Sequence, residues 1–300
     1  MSTESTPHRF GTVALLGQPN VGKSTLLNAM LGLRLSIVTP KPQTTRHRIL
    51  GIVTRPDAQI ALLDTPGLHR QTRRALNHQL NRIARQAPEE ADVLVHVIDG
   101  PKWNDEDEAI WKLLAPLGKP VLLAVNKVDK LADKTRLLAF AAQVTREHDY
   151  AGVHFLCARR GDGVAVLLDD IAQLLPEGEA AYAEDEFTDR SERFLAAELV
   201  REQLMLLLGD ELPYATAVEI EQFEDTAKIT RIGAVIWVER EGQKGIVIGA
   251  AGAQLKKIGS AARRGMERLF ERRVHLELWV RVRESWSDDA AALKQFGYTD

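Results

Sequence analysis

The stretch GQPNVGKS, residues Gly17–Ser24, has the residue types and spacing of a phosphate-binding loop, G-x-x-x-x-G-K-[ST]. Its glycines allow successive backbone N–H groups to turn toward phosphate oxygens. Lys23 would reach the β- and γ-phosphates, and the Ser24 hydroxyl would hold Mg²⁺. The motif follows an apolar run and opens a helical pattern, so it predicts a nucleoside triphosphate site at a helix N-terminus.

A second stretch, DTPGLH at Asp64–His69, has the composition of a γ-phosphate-sensing turn. Asp64 ends an apolar strand and would hold Mg²⁺, and the Gly67 N–H would meet the γ-phosphate. Leu68 stands where many small GTPases carry a glutamine that orients the attacking water, and leucine cannot do this by hydrogen bonding. We therefore expect slow intrinsic turnover, with the missing electrostatic stabilisation supplied by another group.

Two further loops complete the predicted nucleotide site. In NKVD, the Asp129 carboxylate would accept two hydrogen bonds from guanine, which adenine cannot donate, so the motif favours GTP over ATP. Asn126 would serve guanine N7 and the loop, and the Lys127 stem would cover the base. In KPQTTRHR, a threonine would complete the Mg²⁺ shell only when the γ-phosphate is present. We favour Thr45 for this role, with Thr44 second.

The elements needed to position these loops form a strand–helix alternation up to about residue 176. Continuous apolar strands separated by helices predict a mostly parallel sheet with helices on both faces. A smaller α/β module follows, in which we expect a helix, two strands, a turn, the run IVIGAAG as a strand, a basic helix and a last strand. The predicted boundaries are a flexible N-terminus 1–10, a nucleotide-binding domain 11–176, an acidic linker 177–190, the module 191–285 and a tail 286–300.

Charge is distributed unevenly along the C-terminal part. Residues 176–226 contain 15 Asp/Glu and 3 Lys/Arg, whereas residues 227–283 contain 13 Lys/Arg and 5 Asp/Glu. The basic part carries G-x-x-G at Gly249–Gly252, which in a KH module lets the backbone approach single-stranded nucleic acid, RNA rather than DNA. Apolar residues Ile246, Leu255 and Ile258 would line a groove or fill the core. The predicted RNA-binding residues are Ile248, Gly249, Ala250, Ala251, Gly252, Lys256, Lys257, Arg263 and Arg264.

Taken together, GQPNVGKS, QTTR, DTPG and NKVD, with RPDAQIALLDTPGLH and the later ELPY, resemble the Era-type, translation-factor-class GTPases over nearly the whole chain. The resemblance implies a P-loop GTPase domain followed by a type II KH domain. The family's Ser-Ala box is Cys157-Ala158 here; the Ala158 N–H can still contact guanine O6, and we interpret Cys157 as a buried small residue rather than a reactive thiol. The predicted GTP-binding residues are Gly17, Gln18, Pro19, Asn20, Val21, Gly22, Lys23, Ser24, Thr25, Asp64, Thr65, Pro66, Gly67, Asn126, Lys127, Asp129, Cys157 and Ala158. The predicted metal ligands are Ser24, Thr45 and Asp64, and the predicted catalytic residues are Asn20, Lys23, Thr45 and Gly67.

The same resemblance implies GTP hydrolysis to GDP, binding of the 3′ end of 16S ribosomal RNA and a role in 30S subunit biogenesis, with a link to cell growth and division. It also implies K⁺ held by Asn20 near the phosphates as a source of the missing electrostatic stabilisation; a ribosomal partner is the other source. We expect nucleotide state to be coupled to RNA binding through the domain interface or the linker. We expect a cytoplasmic monomer, in part peripheral at the inner membrane.

One cysteine excludes an internal disulfide framework, and the polar N-terminus lacks a secretory apolar core.

Three alternatives are weighed against this interpretation. A P-loop kinase or ATPase is disfavoured by NKVD. A pure RNA-binding module with a vestigial nucleotide site is disfavoured by the intact Lys23, Ser24 and Asp64. A membrane-attached cell-cycle switch would need an anchor, and no amphipathic anchor is evident in the sequence.

Overall fold

The structure, a computed structural model, describes residues 8–67, 75–209 and 211–298. Leu68 and His69 lie outside these residues, so the end of the DTPGLH turn is not described. The described residues form two compact units. The first contains residues 8–36, 45–67 and 80–189, and the second contains residues 37–44, 75–79, 190–209 and 211–298.

The first unit is built on a six-stranded sheet in the order β2-β3-β1-β4-β5-β6. All neighbouring strands are parallel except β2, which pairs antiparallel with β3. Every residue of β3 and β5 is buried, as expected for strands covered on both faces. The strands are β1 Arg9–Leu16, β2 Ile49–Thr54, β3 Ala58–Asp64, β4 Val93–Asp99, β5 Val121–Asn126 and β6 Gly152–Phe155. The helices are α1 Lys23–Leu31, α2 Ala75–Glu90, α3 Asp105–Leu114, α4 Thr135–Glu147 and α5 Val164–Leu174.

This sheet carries the predicted loops to one edge, because the carboxyl ends of parallel strands meet at the same side of a sheet. The phosphate loop follows β1, the DTPG turn follows β3, NKVD begins at the end of β5, and Cys157 lies just beyond β6. The prediction of a mostly parallel sheet with helices is confirmed.

The acidic segment 177–190, predicted to be a linker, is bound to the first unit over most of its length. The N–H of Ile52 on edge strand β2 donates to the Phe187 carbonyl at 2.9 Å, and the Thr188 hydroxyl donates to the Leu50 carbonyl at 2.6 Å. The segment therefore covers polar backbone groups of an edge strand. Residues 8–10, predicted to be flexible, are also ordered, since Arg9 begins β1 and the Gly178 N–H donates to the His8 carbonyl.

The second unit has a three-stranded sheet in the order β7-β8-β9, with β7 and β8 antiparallel and β8 and β9 parallel. Helices α6 and α8 contact each other, and the buried side chains of Ile258 and Met266 on α8 contribute to the core. The elements are α6 Glu192–Leu207, β7 Ala217–Asp225, β8 Thr230–Val238, α7 Glu241–Ile248, α8 Ala253–Leu269, β9 Val274–Val282 and α9 Ala290–Gln295. Trp286, in the predicted tail, is fully buried and stacks on Tyr298.

The predicted strand at IVIGAAG is wrong, because Glu241–Ile248 is helix α7. The Gln243 side chain accepts hydrogen bonds from the N–H groups of Glu239 (2.8 Å) and Arg240 (3.1 Å), which fixes the first turn of the helix. Val247 is buried, whereas Ile246 is 60% exposed. A short run of β-branched residues can form either a strand or a helix. Here the run is helical, with a cap at its first turn and with Val247 buried.

Candidate functional site: the nucleotide loops and the basic groove

The phosphate loop has the backbone that its glycines permit. Gly17 and Gly22 have φ angles of 154° and 107°, and Gly22 directly precedes helix α1. Lys23 is 6% exposed, and its ammonium donates to the carbonyls of Gly17 (3.0 Å) and Gln18 (2.9 Å). Burial lowers the pKa of Lys23 to about 8, although Asp64 partly opposes the shift. Burying the charged lysine costs free energy, and phosphate oxygens bound in the loop would offset that cost.

The three predicted metal ligands lie together. The Ser24 hydroxyl donates to Asp64 Oδ2 at 2.6 Å and lies 2.8 Å from the Thr45 hydroxyl, which itself lies 3.4 Å from Asp64 Oδ2. Asp64 Oδ1 is buried without a hydrogen-bond partner among the described residues, and burial raises the pKa of Asp64. Two hydroxyls and a carboxylate with an unsatisfied oxygen fit Mg²⁺, which prefers oxygen ligands.

Thr44 lies in a different environment from Thr45. Its hydroxyl lies 2.6 Å from the Thr39 hydroxyl and donates to the Lys41 carbonyl at 2.6 Å. Residues Ile37–Thr44 belong to the second unit. Within that unit the N–H of Val38 donates to Glu202 at 3.0 Å, and the Arg201 guanidinium donates to the Thr44 carbonyl. The geometry therefore separates the two candidate threonines: only Thr45 contacts Ser24 and Asp64.

The DTPG turn packs tightly on the phosphate loop. A Cβ added at Gly67 would lie 2.8 Å from the Pro19 nitrogen, so a larger residue would have to displace backbone. The buried Thr65 hydroxyl donates to the Leu15 carbonyl at 3.0 Å, which anchors the turn to β1. This contact brings Gly67 to the phosphate loop, where a γ-phosphate sensor is expected.

Asn126 links three of the predicted nucleotide loops. Its Nδ2 donates to the Val21 carbonyl at 2.9 Å, and its Oδ1 accepts from the N–H groups of Lys127 (2.8 Å) and Ala158 (3.0 Å). The side chain is 2% exposed. The sequence predicts that Asn126 contacts guanine N7 as well as the loop. In the structure, its hydrogen bonds hold the loops to one another.

The lysine and aspartate of NKVD are held by neighbouring polar groups. The Lys127 ammonium donates to the Asn20 carbonyl and to Asp99 Oδ2, both at 2.6 Å, while Asn20 has a left-handed φ of 63°. A hydrogen bond from the Cys157 thiol is the main influence that lowers the pKa of the exposed Asp129. Cys157 is buried, as predicted.

Sequence reasoning missed several residues that support this site. Asp99 binds Lys127, Ser36 donates to Asp64 Oδ2 at 2.8 Å, and Asn104 and Asp107 accept from the Gln18 side chain. Asp99 could in principle have been predicted from the sequence, since it ends a strand at the carboxyl edge that carries the other loops. The other three belong to no motif.

In the second unit, the G-x-x-G loop borders a groove of about 350 Å³. Gly249 and Gly252 have φ angles of 71° and 79°, and a Cβ on Gly249 would lie 2.6 Å from Gln254 Cβ. Ala251 also has a left-handed φ, of 49°. The lining residues are Gly252, Leu255, Lys256, Gly259, Ser260, Arg263, Leu276 and Leu278.

The groove accommodates only part of the predicted RNA-binding set. Lys256 and Arg263 line it, whereas Lys257 and Arg264 are exposed and do not belong to its lining. Ile258, a candidate groove residue, is fully buried in the core. Leu276 and Leu278 of β9 were missed, because only the fold brings this strand beside α8. The groove combines two cations with an apolar floor, which suits phosphates and bases of a single strand.

The four loops and the groove define the class of the protein, a P-loop GTPase with a KH domain. The family model described as "50S ribosome-binding GTPase" matches residues 12–127, and the KH domain model matches residues 211–287. The GTPase Era of Xanthomonas oryzae pv. oryzae (strain MAFF 311018) is 58% identical over 298 residues, which cover 99% of this chain and 100% of the relative. That of Stenotrophomonas maltophilia (strain K279a) is 56% identical over 296 residues, covering 99% of both chains.

Two solved structures agree with these relatives. Era in complex with MgGDPNP and nucleotides 1506–1542 of 16S ribosomal RNA has a TM-score of 0.93 and 40% identity, covering 98% of this chain and 100% of that chain. An Aquifex aeolicus Era variant bound to GDP and AlF4⁻ has a TM-score of 0.94 and 39% identity, covering 97% of this chain and 100% of that chain. This chain belongs to the Era family and is a GTPase. Among the described residues, none of the helices has the length and apolarity to span a bilayer.

Proposed function

We propose that this GTPase binds the 3′ end of 16S ribosomal RNA in its KH groove and acts in 30S subunit biogenesis. The groove carries the proposal: the end of the G-x-x-G loop, two cations and three leucines lie side by side. The solved structure of an Era that aligns along its full length is a complex with nucleotides 1506–1542 of 16S ribosomal RNA. Single-stranded RNA is recognised in this manner, by close approach of the backbone to the loop and by contacts to unstacked bases.

The test compares two pairs of cations on helix α8. Binding of a labelled RNA with the 3′-terminal sequence of 16S RNA is measured by fluorescence anisotropy at several salt concentrations. A Lys256→Ala/Arg263→Ala variant should bind weakly, and the slope of log K against log salt should fall by about 1.4, since each lost phosphate contact contributes ~0.7. The Lys257→Ala/Arg264→Ala variant is the matched control. Equal losses from both pairs would contradict the groove assignment.

We also propose that Mg²⁺ is held by Ser24 and Thr45, with Asp64 nearby, when GTP is bound. The hydroxyl–carboxylate cluster and the unsatisfied Asp64 oxygen support this. Bound Mg²⁺ would neutralise charge that develops on the phosphates during hydrolysis. The chain's own residues would hold the phosphates in the glycine loop, bind their oxygens through Lys23 and sense the γ-phosphate at Gly67.

We propose that K⁺ held near Asn20 supplies the remaining electrostatic stabilisation of the hydrolysis transition state. A group from a ribosomal partner is the alternative source. Asn20 is exposed, and Lys127 holds its backbone carbonyl, which fixes the backbone at the position that carries this side chain. Hydrolysis rates are compared in K⁺ and Na⁺, with and without 30S subunits. Faster turnover in K⁺ that is lost in Asn20→Ala supports the cation, whereas equal rates in both salts contradict it.

The segment Ile37–Thr44 is a further candidate for coupling nucleotide state to RNA binding, beside the interface and linker considered from the sequence. It is held by Arg201 and Glu202 of helix α6, and the next residue, Thr45, contacts Ser24. Ordering of Thr45 by GTP would therefore bias the segment. Equal RNA affinities with GDP and with a non-hydrolysable GTP analogue would contradict the coupling. The monomeric state and peripheral membrane association stay predictions from the sequence.

A further inference from the structure

Gln18 occupies a position of the phosphate loop that the motif leaves open, yet its side chain is held firmly. Its Nε2 donates to Asp107 Oδ1 at 2.6 Å and to Asn104 Oδ1 at 2.9 Å, which uses both amide hydrogens. The backbone carbonyl of Gln18 accepts from the Lys23 ammonium at 2.9 Å. One residue thus joins the phosphate-binding lysine to the start of helix α3.

The acceptors on α3 are fixed by a capping box. Asn104 Oδ1 accepts from the N–H groups of Glu106 (2.8 Å) and Asp107 (3.2 Å), and Asp107 Oδ2 accepts from the Asn104 N–H at 3.3 Å. The two Asp107 oxygens therefore have separate partners, the helix cap and Gln18. Asp107 is only 2% exposed, and burial raises its pKa, although the Gln18 hydrogen bond opposes the shift.

A buried histidine lies on the other side of this carboxylate. His96 of β4 is fully buried, and its Nδ1 lies 2.7 Å from the Tyr150 hydroxyl. Burial lowers the pKa of His96 to about 3 and raises that of Tyr150, so the ring is neutral and the hydroxyl keeps its proton. The other ring nitrogen, Nε2, lies 3.9 Å from Asp107 Oδ1, beyond hydrogen-bond distance.

We propose that Asp107 is a positioning residue for GTP binding: through the Gln18 side chain it fixes the phosphate-loop backbone that holds Lys23. Asp107 and Lys23 belong to different elements, and Gln18 hydrogen-bonds to both. A loop fixed before the nucleotide arrives does not lose that conformational freedom on binding, which raises affinity. The capping box holds the carboxylate in place, and the buried His96 ring lies beside it.

The test is a double-mutant cycle between Gln18→Met and Asp107→Ala, read as the Kd of fluorescent GDP and GTP analogues on the full chain. Each variant should weaken binding by roughly 10- to 100-fold, the range for a hydrogen bond to a buried charged group. The double variant should lose little more than either single variant, because both remove the same contact. Gln18→Met leaves the capping box intact, so its result does not depend on the stability of α3.

Two further variants separate positioning from a general loss of stability. Asp107→Asn keeps one side-chain oxygen, which can accept from Gln18 only if the amide nitrogen replaces the acceptor of the Asn104 N–H, so this variant should recover part of the affinity lost in Asp107→Ala. Asp92→Ala also removes a carboxylate that accepts a backbone N–H, from Thr12 at 2.8 Å, and should bind nucleotide as the parent does.

Steady-state hydrolysis gives a second readout. KM should rise in proportion to Kd while kcat changes by less than about threefold, because the loop binds substrate and transition state alike. Additive losses in the cycle, or a Gln18→Met variant with parental affinity, would overturn the proposal without affecting the assignment of the chain as a GTPase.

Discussion

Replacing Asn126 should separate nucleotide affinity from the stability of the fold. Its amide makes one donated and two accepted hydrogen bonds with three different loops while almost completely buried. Asn126→Asp preserves both accepted bonds but directs a second oxygen at the Val21 carbonyl, which lies 2.9 Å from the present nitrogen. The lost bond and the new repulsion should cost about 2–3 kcal/mol, equivalent to ~30- to 150-fold in Kd at about 1.4 kcal/mol per tenfold.

Asn126→Ala should have a different effect. It leaves three buried backbone groups, at Val21, Lys127 and Ala158, without their partner, and each such group costs about 1–3 kcal/mol. We expect the free energy of unfolding to fall by ~3–9 kcal/mol and the melting temperature by at least ~6 °C. Affinity should fall as well, so only the aspartate variant isolates the link to the phosphate loop.

The assay is equilibrium binding of fluorescent GDP without Mg²⁺, together with thermal unfolding of the free protein. Burial raises the pKa of the carboxyl introduced by Asn126→Asp, so protonation at low pH restores a donor, and affinity relative to the parent should recover as pH falls from 8 to 5. Asn28→Asp is the matched control, because Asn28 also binds three backbone groups, the Ser36 carbonyl and the N–H groups of Leu35 and Ser36. An Asn126→Asp variant with affinity within threefold of the parent, or a loss independent of pH, would refute the reasoning.

Three further predictions concern individual residues of the nucleotide site. Thr45→Ala should raise the Mg²⁺ concentration needed for half-maximal GTP hydrolysis, and Thr44→Ala should not, because of the two threonines only Thr45 contacts Ser24 and Asp64, which we propose lie at the Mg²⁺ site; equal shifts in a Mg²⁺ titration would contradict the proposal. Cys157→Ser should keep the preference for GTP over ATP, measured by competition, whereas Cys157→Ala should weaken it severalfold by removing the donor to Asp129; equal behaviour of the two variants would count against this role. The pKa of Lys23 is about 8 in the free protein, and phosphate binding requires the charged form. GDP affinity should therefore fall about tenfold per pH unit above pH 8, and Lys23→Arg, which stays charged, should abolish this dependence; a flat profile in the parent would contradict the shift.

Several parts of the fold could be predicted because local pattern and tertiary context agree. Continuous apolar runs such as Val121–Asn126 become central strands buried on both faces, and the phosphate loop follows a strand and begins a helix. Helix α7 could not be assigned in the same way, since Ile246 and Val247 have high strand propensity and only the cap at Gln243 and the burial of Val247 distinguish a helix.

The polar residues that surround the motifs were harder to predict from the sequence. Asp107 and His96 stand far from Gln18 in sequence and belong to no recognised pattern, so their contact depends on how β4 and α3 pack. The choice between Thr44 and Thr45 was also open, because adjacent residues of a loop have no periodicity that indicates their direction. The backbone path turns one hydroxyl toward Asp64 and the other toward Lys41.

The sequence by itself determined the motifs: a phosphate loop, an NKVD predicted to read guanine, and a G-x-x-G loop beside a basic helix, each of which is a short local stretch of the chain. Only the tertiary structure decided which side chains support those motifs. Asn126 binds three loops, the Cys157 thiol lowers the pKa of Asp129, and Lys256 and Arg263 line a groove whose floor comes in part from a separate strand. The physical reason is that motifs are local in sequence, whereas hydrogen bonds and burial connect residues that are distant in the chain.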